Sequence, residues 1–460
     1  MSVCMTRRDL MRLLSAAGLG SAFAGTVVPE TSGDSKGTPV PERKLIEPTP
    51  RSYPPAALRD GVVVQPERTL PVLEQVDVLV VGGGAAGFAA AVAAARAGAS
   101  TAIVERYGYF GGLWTGGLVL LVIGTHARDG DTRKKVVCGI GDELLERLTR
   151  IDGGIINQGP GRFNPTVDPE ATKYLMDEML GEAGVKVFLH CWGVDAVMEG
   201  RTVRGAVFES KAGRQALLAK VVVDATGDGD LFAAAGAEHE QRLHAIGLVH
   251  RLGNVDRVDR AKLKQAGKAD GNKMLGARTP LPSVTWVNLR GPSTNALDVA
   301  ELSRLELQHR RSIWQRVQKL RQMPGAEDVF LLDVAPQLGV RTSRLLAGTH
   351  QLTYQETRDG KRFPDVVAVG GAQGAQHGEW PIPYGVLVPK QVDGLLAAGR
   401  CVCVDSRLIE DMRLIAACLT TGHAAGAAAA VAVRSRCRPR DIDVARLQTL
   451  LTDQRAYLGL

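Results

Sequence analysis

A short apolar run that passes directly into closely spaced glycines constrains this chain more than any other feature. Residues 78–81 read Val-Leu-Val-Val, and residues 82–87 read Gly-Gly-Gly-Ala-Ala-Gly. The pattern predicts a buried parallel strand, a tight turn and then a helix. Gly82 permits the turn, Gly84 lets a phosphate group approach the backbone, and Gly87 lets the helix lie against the strand.

The residues after these glycines complete a dinucleotide-binding unit. The alanine-rich stretch from Ala85 to Ala97 predicts a helix that ends at Gly98, and Thr101 to Val104 predicts a second strand. That strand runs into Glu105, roughly 20 residues beyond the glycines, where an acid accepts hydrogen bonds from ribose hydroxyls. The combination predicts a bound dinucleotide and leaves FAD and NAD as open alternatives.

Four later motifs favour FAD. Residues 109–117 read Tyr-Phe-Gly-Gly-Leu-Trp-Thr-Gly-Gly, and residues 221–230 read Val-Val-Val-Asp-Ala-Thr-Gly-Asp-Gly-Asp. Residues 339–344 read Gly-Val-Arg-Thr-Ser-Arg, and residues 394–400 read Gly-Leu-Leu-Ala-Ala-Gly-Arg. With Asp168-Pro169-Glu170 between them, this order resembles the FAD-dependent oxidoreductases related to the flavoproteins of fumarate reductase and succinate dehydrogenase. The resemblance covers nearly the whole chain after Val76.

The resemblance implies FAD as the cofactor and indicates which residues contact it. It implies main-chain contacts from Val194 to the adenine, and it places residues 226–228 beside the adenosine and pyrophosphate. The helix after Arg413 is expected to direct its positive N-terminal end at the pyrimidine edge of the flavin. No metal ion is expected. The residues expected at the cofactor are Gly82, Gly84, Ala85, Ala86, Gly87, Glu105, Arg106, Gly111, Gly112, Val194, Thr226, Gly227, Asp228, Gly399, Arg400, Leu414 and Ile415.

Three apolar blocks with strand-then-helix character lie far apart in the chain, so the predicted fold is discontinuous. The predicted class is α/β, with a Rossmann-like FAD-binding domain built from separated segments and an inserted α+β substrate or cap domain. The predicted boundaries are 1–28 for an export signal, 29–75 for a flexible linker, 76–125 with 186–236 and 390–435 for the FAD domain, 126–185 with 237–389 for the cap, and 436–460 for a C-terminal extension.

The N-terminus resembles a twin-arginine export signal. Residues 6–12 read Thr-Arg-Arg-Asp-Leu-Met-Arg, and a mildly apolar run follows from Leu13 to Val28. The small residues Ala22 and Ala24 suit cleavage before Gly25, and an uncleaved anchor is the alternative. The expected partner is the twin-arginine export machinery, and the expected destination is the periplasm or the medium, with FAD bound before export. No segment beyond the signal is expected to span a membrane.

Charge and composition argue against nucleic acid as a partner. The net charge is +7, but the Lys and Arg residues are scattered and only 5% of residues are aromatic. Nucleic-acid-binding proteins gather such residues into a basic stripe or patch. The expected partner is instead a small organic substrate.

Candidate catalytic residues lie in the inserted segments and in the final motif. Arg341 and Arg344 are three apart on a predicted helix, so they would share a face and bind a carboxylate or enolate oxygen. Structural ion pairing is the alternative for both. His377 is a candidate acid or base, or a structural loop residue. Arg413 is the fourth candidate. Further candidates are His126, His244, His250, Tyr384, Glu410 and Asp411, the last two interpreted chiefly as a cap for the helix after Arg413.

The predicted reaction is hydride transfer between a small organic molecule and the flavin. No second nucleotide fingerprint is present, so electrons are expected to pass to oxygen, a quinone or a partner protein. One alternative is a reductase of an activated C=C bond, which the absence of a Cys-x-x-Cys-His haem site disfavours. Another is a flavin carrier or sensor without turnover.

Overall fold

The structure, a computed structural model, describes residues 54–130, 132–158, 163–265, 273–371 and 378–460. It divides into two compact units, Met1–Arg68 and Thr69–Leu460. The export signal and most of the predicted linker lie outside the described residues. The described part of the first unit is a hairpin of β1 (Ala57–Arg59) and β2 (Val62–Val64). Asp60 and Gly61 both have positive φ, which is typical of a two-residue hairpin turn and gives local structure inside the predicted linker.

The second unit contains the remaining strands and all the helices of the described chain. Its strands are β3 (Val72–Val81), β4 (Thr101–Val104), β5 (His126–Asp129), β6 (Thr132–Lys135), β7 (Ile155–Ile156), β8 (Thr166–Val167), β9 (Lys186–Phe188), β10 (Trp192–Glu199), β11 (Thr202–Ser210), β12 (Gly213–Asp224), β13 (His239–Gln241), β14 (His244–Ala245), β15 (Leu248–Gly253), β16 (Ala277–Arg278), β17 (Thr285–Leu289), β18 (Ser293–Thr294), β19 (Phe330–Val334), β20 (Arg344–Leu346), β21 (Val366–Gly370), β22 (Trp380–Pro383) and β23 (Leu395–Ala397).

The helices of this unit range from single turns to long core helices. They are α1 (Ala85–Arg96), α2 (Ile140–Leu148), α3 (Pro169–Glu182), α4 (Asp230–Ala234), α5 (Arg260–Gln265), α6 (Val299–Arg321), α7 (Tyr354–Arg358), α8 (Ile409–Met412), α9 (Ile415–Ser435) and α10 (Val444–Asp453), with 3₁₀ turns at Val255–Arg257, Tyr384–Leu387 and Pro439–Asp441.

The main sheet has the strand order β10-β11-β12-β3-β4-β9, and β23 also pairs with β12. β23, β12, β3, β4 and β9 run parallel, whereas β10 and β11 extend the sheet antiparallel to β12. These strands come from three separated stretches of chain, which confirms the predicted α/β class. β3 starts at Val72, earlier than the predicted Val76, because residues 72–75 continue the pairing with β12. These residues are largely exposed, so no apolar run marks them in the sequence.

Two helices made almost entirely of small residues cross in the core of this domain. A Cβ added at Gly422 of α9 would lie 2.1 Å from the carbonyl oxygen of Ala86, and one at Gly426 would lie 2.0 Å from that of Ala90. The backbones of α9 and α1 are therefore in direct contact. By length and hydropathy alone α9 could cross a membrane, but most of it is buried in this core.

Helices α2 and α3 belong to the same core. Leu144 and Leu148 of α2 and Met176 and Met179 of α3 are buried in one cluster with the residues of α1. Asp168 caps α3 by accepting hydrogen bonds from the backbone N–H groups of residues 170 and 171. These helices therefore pack on the core around α1, and the boundary between the FAD domain and the cap stays a prediction.

A second layer is formed by residues 244–334. The antiparallel sheet β16-β17-β15-β19 packs on the long helix α6, and a separate cluster that includes Leu252, Leu263, Val317 and Leu320 fills the space between them. This layer has the α+β character predicted for the inserted domain. Its sheet supplies part of the wall of the site described below.

Candidate functional site

A cleft lies at the carboxyl ends of the parallel strands. It is lined by the turns that follow β3, β4, β12 and β23, and by residues 111–114. Ligands of open α/β sheets bind at this edge, because the strands deliver their loops to one place. The cleft is therefore the first candidate site.

Each glycine of the fingerprint has the geometry that the sequence predicts. Gly82 has a φ of +100°, and a Cβ there would lie 2.5 Å from the carbonyl oxygen of Ala225. A Cβ at Gly87 would lie 1.7 Å from the carbonyl oxygen of Gly82, so α1 lies directly against the turn. Around Gly84, which precedes α1, no atom of the described residues comes within 4 Å of such a Cβ. The open space at the helix N-terminus fits a phosphate group.

Glu105 ends β4 and holds the glycine turn. Its Oε2 accepts a hydrogen bond from the Gly83 N–H at 2.6 Å, and its Oε1 accepts one from the Tyr107 N–H at 2.9 Å. The side chain is buried, and this burial raises its pKa. Each carboxylate oxygen keeps a further lone pair, so the position fits the predicted ribose contact.

Asp224, at the end of β12, fixes the next loop and was not singled out as a site residue from the sequence. Its carboxylate accepts hydrogen bonds from Thr226 N–H and Oγ1–H, and from the Leu231 and Phe232 N–H groups, at 2.7–3.0 Å. Burial raises the pKa of this fully enclosed group to about 6. Its signal in the sequence is a carboxylate placed directly after a buried valine run.

Asp228 and Arg400 form a buried ion pair across the cleft. Their side chains meet at 2.8 Å, and Ser343 Oγ–H donates to Asp228 at 2.5 Å. Burial raises the pKa of Asp228, but the charge of Arg400 together with the hydrogen bonds from Arg400 and Ser343 outweighs that effect, and the pKa is lowered. Arg400 Nη1 is buried without a hydrogen-bond partner among the described residues. An unpaired buried donor in a cleft fits a ligand that is rich in acceptor atoms.

The cleft gathers most of the residues predicted to contact the cofactor. Gly87 lies beneath the turn, and Leu414 lines the adjoining chamber described below. Beside Glu105, a small recess is lined by Cys191, Trp192 and Gly193, which directly precede Val194. The predicted residues that line the cleft are Gly82, Gly84, Ala85, Ala86, Glu105, Arg106, Gly111, Gly112, Thr226, Gly227, Asp228, Gly399, Arg400 and Ile415.

A second chamber adjoins the cleft. The two share Leu113, Trp114, Arg400, Arg413 and Ile415 as lining residues. Arg341 also lines the chamber, as its predicted role requires. Tyr384, by contrast, is buried elsewhere and donates to the carbonyl oxygen of Pro439.

The predicted helix over residues 341–344 is wrong, and Arg341 and Arg344 do not share a face. Residues 341–343 are in neither a helix nor a strand, and Arg344 begins β20, which pairs with β13. Arg341 lines the chamber, whereas Arg344 does not. Arg344 binds Asp230 at 2.8 Å, which is the structural ion pair considered as the alternative.

Glu410 does not cap the helix after Arg413, so that interpretation is also wrong. Its carboxylate pairs with Arg413 and accepts a 2.7 Å contact from His244 Nε2. Burial raises the pKa of Glu410, and the charges of Arg413 and His244 lower it further than burial raises it. His244 thus joins Glu410 and Arg413, from a distant segment of the chain, in one network beside the chamber. His377 lies outside the described residues.

Comparison with known proteins agrees with this site. Residues 77–451 match the family model described as FAD dependent oxidoreductase, so the chain belongs to this family. The protein is therefore an FAD-dependent oxidoreductase, and FAD is its cofactor. No curated protein matches the chain.

Solved structures of flavoproteins are similar at low identity. A geranylgeranyl bacteriochlorophyll reductase-like protein from Thermoplasma acidophilum is 14% identical, with a TM-score of 0.46 and coverage of 83% of this chain and 84% of that one. The p-nitrophenol 4-monooxygenase from Pseudomonas putida is 13% identical, with a TM-score of 0.46 and coverage of 83% and 85%. A flavocytochrome c3 fumarate reductase is 16% identical, with a TM-score of 0.39 and coverage of 79% of both chains.

Proposed function

We propose that this protein transfers a hydride between a small organic substrate and FAD, and passes the electrons to oxygen, a quinone or a partner protein. The observation that carries the proposal is the chamber that adjoins the FAD cleft at Trp114 and Ile415 and is lined by Arg341 and Arg413. A flavin enzyme needs such a second compartment, because the substrate must reach the reactive ring from a side that the cofactor's own contacts do not occupy.

The residues of the cleft have separate tasks in holding the cofactor. The open turn at Gly84 receives the pyrophosphate, and Glu105 accepts hydrogen bonds from the ribose. Arg400, fixed by Asp228, offers its unpaired Nη1 to an acceptor atom. Bound FAD supplies the group that accepts or donates the hydride.

The residues of the chamber orient the substrate and exclude water. Arg341 holds an anionic group of the substrate, because its guanidinium group lines the chamber and has no carboxylate partner among the described residues. Arg413 also lines the chamber, where Glu410 restrains it through their ion pair, and His244 restrains Glu410. Apolar walls reduce the local dielectric, which strengthens the contact of Arg341 with a substrate oxygen.

An anaerobic absorbance titration of the purified protein tests the proposal. We expect the protein to be yellow and to release FAD on extraction. A donor substrate should bleach the oxidised flavin band, whereas an acceptor such as a 2-enoate should restore that band in dithionite-reduced protein. Bleaching supports the proposed direction, and restoration without bleaching would indicate the C=C reductase. A flavin that responds to neither would indicate a carrier or sensor and contradict the proposal.

We also propose that the twin-arginine machinery exports the protein with FAD already bound. The supporting feature is the pair Arg7 and Arg8 before the apolar run of residues 13–28. Replacing both with lysine, which conserves charge, should retain the protein in the cytoplasm. Fractionation followed by immunoblotting measures the location, with Arg12→Lys as the matched control. Equal periplasmic amounts of the double variant and the control would contradict the proposed route.

A further inference from the structure

The walls of the chamber are built from extended segments that each present alternate residues to it. Val119, Leu121 and Ile123 face the chamber, while the residues between them are fully buried in the protein. On the neighbouring sheet, Val249 of β15 lies opposite Asn288 of β17. Trp286 and Asn288 line the chamber from the same face of β17. The resulting surface is mostly aliphatic and aromatic, with one amide.

The charged groups that line the chamber are all positive. Among the described residues they are Arg341, Arg400 and Arg413. Arg400 is paired with Asp228, and Arg413 is paired with Glu410. Two of the three charges therefore have a protein carboxylate as partner.

Arg341 is the arginine of these three that has no carboxylate partner among the described residues. Its Nη1 donates to the carbonyl oxygen of Ala245 at 3.2 Å, and no carboxylate of the described residues forms an ion pair with it. The side chain is half-buried, and burial together with the charges of Arg413 and Arg290 lowers its pKa. A guanidinium in this position gains an anionic partner when a ligand brings one.

We infer that the substrate is a carboxylic acid with a single negative charge and an apolar, preferably aromatic body. The carboxylate lies at Arg341, and the body lies against Val119, Leu121, Val249 and Trp286. A second carboxylate on the ligand would lie against these apolar walls with no unpaired cation to bind it. Burying an unpaired charge in this way is strongly unfavourable. This inference rests on the proposed function, because it takes the chamber as the place where the substrate meets the flavin.

Binding to the FAD-loaded protein tests the inference without any requirement for turnover. The probes are cinnamate, cinnamamide and fumarate, which differ in charge and in apolar body. Dissociation constants come from calorimetry and from the change in flavin absorbance on binding. We expect cinnamate to bind at least roughly tenfold more tightly than either other probe, because cinnamamide lacks the charged hydrogen bond to Arg341 and fumarate would bury a second carboxylate without a partner. Equal binding of cinnamate and cinnamamide, or tighter binding of fumarate, overturns the inference.

Two variants and a control locate the effect. Arg341→Gln should erase the difference between cinnamate and cinnamamide. Glu410→Gln should increase fumarate affinity several-fold, because it releases the charge of Arg413. Arg311→Gln removes one positive charge from the exposed side of α6. It should leave the affinity for cinnamate relative to cinnamamide and to fumarate unchanged. Flavin absorbance shows whether each variant still binds FAD. If Arg341→Gln does not fold, the relative affinities of the unaltered protein for cinnamate, cinnamamide and fumarate test the inference.

The same samples separate this inference from the proposed function. Each probe, together with a panel of alcohols, amines and sugars, is added anaerobically to oxidised and to reduced protein. Turnover of a neutral or doubly charged compound without a preference for cinnamate would overturn the substrate class alone. A clear preference for cinnamate, with no compound exchanging electrons with the flavin, would overturn the proposed function alone.

Discussion

Replacing Gly84 with valine is expected to leave the fold in place and remove FAD from the protein. Gly84 has an extended backbone with φ of −66°, which valine adopts freely, and no described atom lies near its missing side chain. The valine methyl groups would fill the space at the N-terminus of α1 that the pyrophosphate needs. Losing about two charged hydrogen bonds at about 1.5 kcal/mol each weakens FAD binding roughly 100-fold.

FAD content after extraction and reconstitution of the apoprotein measure this effect, and far-UV circular dichroism measures the fold. Gly181→Val is the matched control, because a Cβ at Gly181 of α3 also has no described atom within 4 Å and lies away from the cleft. The control should retain FAD. If Gly84→Val retains as much FAD as the control, the cofactor does not approach the backbone at this turn.

The nucleotide-binding unit could be predicted from the sequence because its determinants are local. A valine run, three glycines and an acid specify a strand, a turn and a helix that lie next to each other in the chain. The predicted helix from Ala85 to Ala97 is observed as α1, which ends at Arg96. Such a unit has few alternative packings, since Gly82 and Gly87 are each required by a close backbone contact.

The conformation around Arg341 and Arg344 could not be predicted in this way. A spacing of three fits a shared helical face, but it fits an extended segment equally well. The pairing of β20 with β13 decides between the two, and β13 lies about a hundred residues earlier in the chain. A single sequence carries no local signal for that pairing.

The chamber and the ion pairs that Glu410 forms beside it could not be predicted from the sequence for related reasons. Residues 119–123 read Val-Leu-Leu-Val-Ile, so the apolar pattern does not show which side chains face the core and which face the chamber. Glu410 stands three residues before Arg413, and its ion pair with Arg413 depends on side-chain direction. The second partner of Glu410, His244, is separated from it by 166 residues. Contacts of this range are fixed by tertiary packing.

The crossing of α9 and α1 gives the largest expected effect on stability. Gly426→Leu would place a side chain against the backbone of Ala90, where even a Cβ would lie 2.0 Å from the carbonyl oxygen. The two helices would have to separate in the core that underlies the FAD cleft. We expect the free energy of unfolding to fall by about 3 kcal/mol, because overpacking against backbone cannot be relieved by a rotamer change.

Gly181→Leu provides the comparison, since it makes the same substitution in a helix with open space around the residue. Leucine has the higher helix propensity, so this control should gain about 0.5 kcal/mol. Urea unfolding followed by circular dichroism, with equal excess FAD, gives both values. The gain in helix propensity is the same at both sites. The difference between the two changes in the free energy of unfolding therefore measures the effect of the substitution on the contact between α9 and α1. Equal stabilisation of the two variants would mean that α9 and α1 do not touch through their backbones, and that the small residues of α9 have another cause.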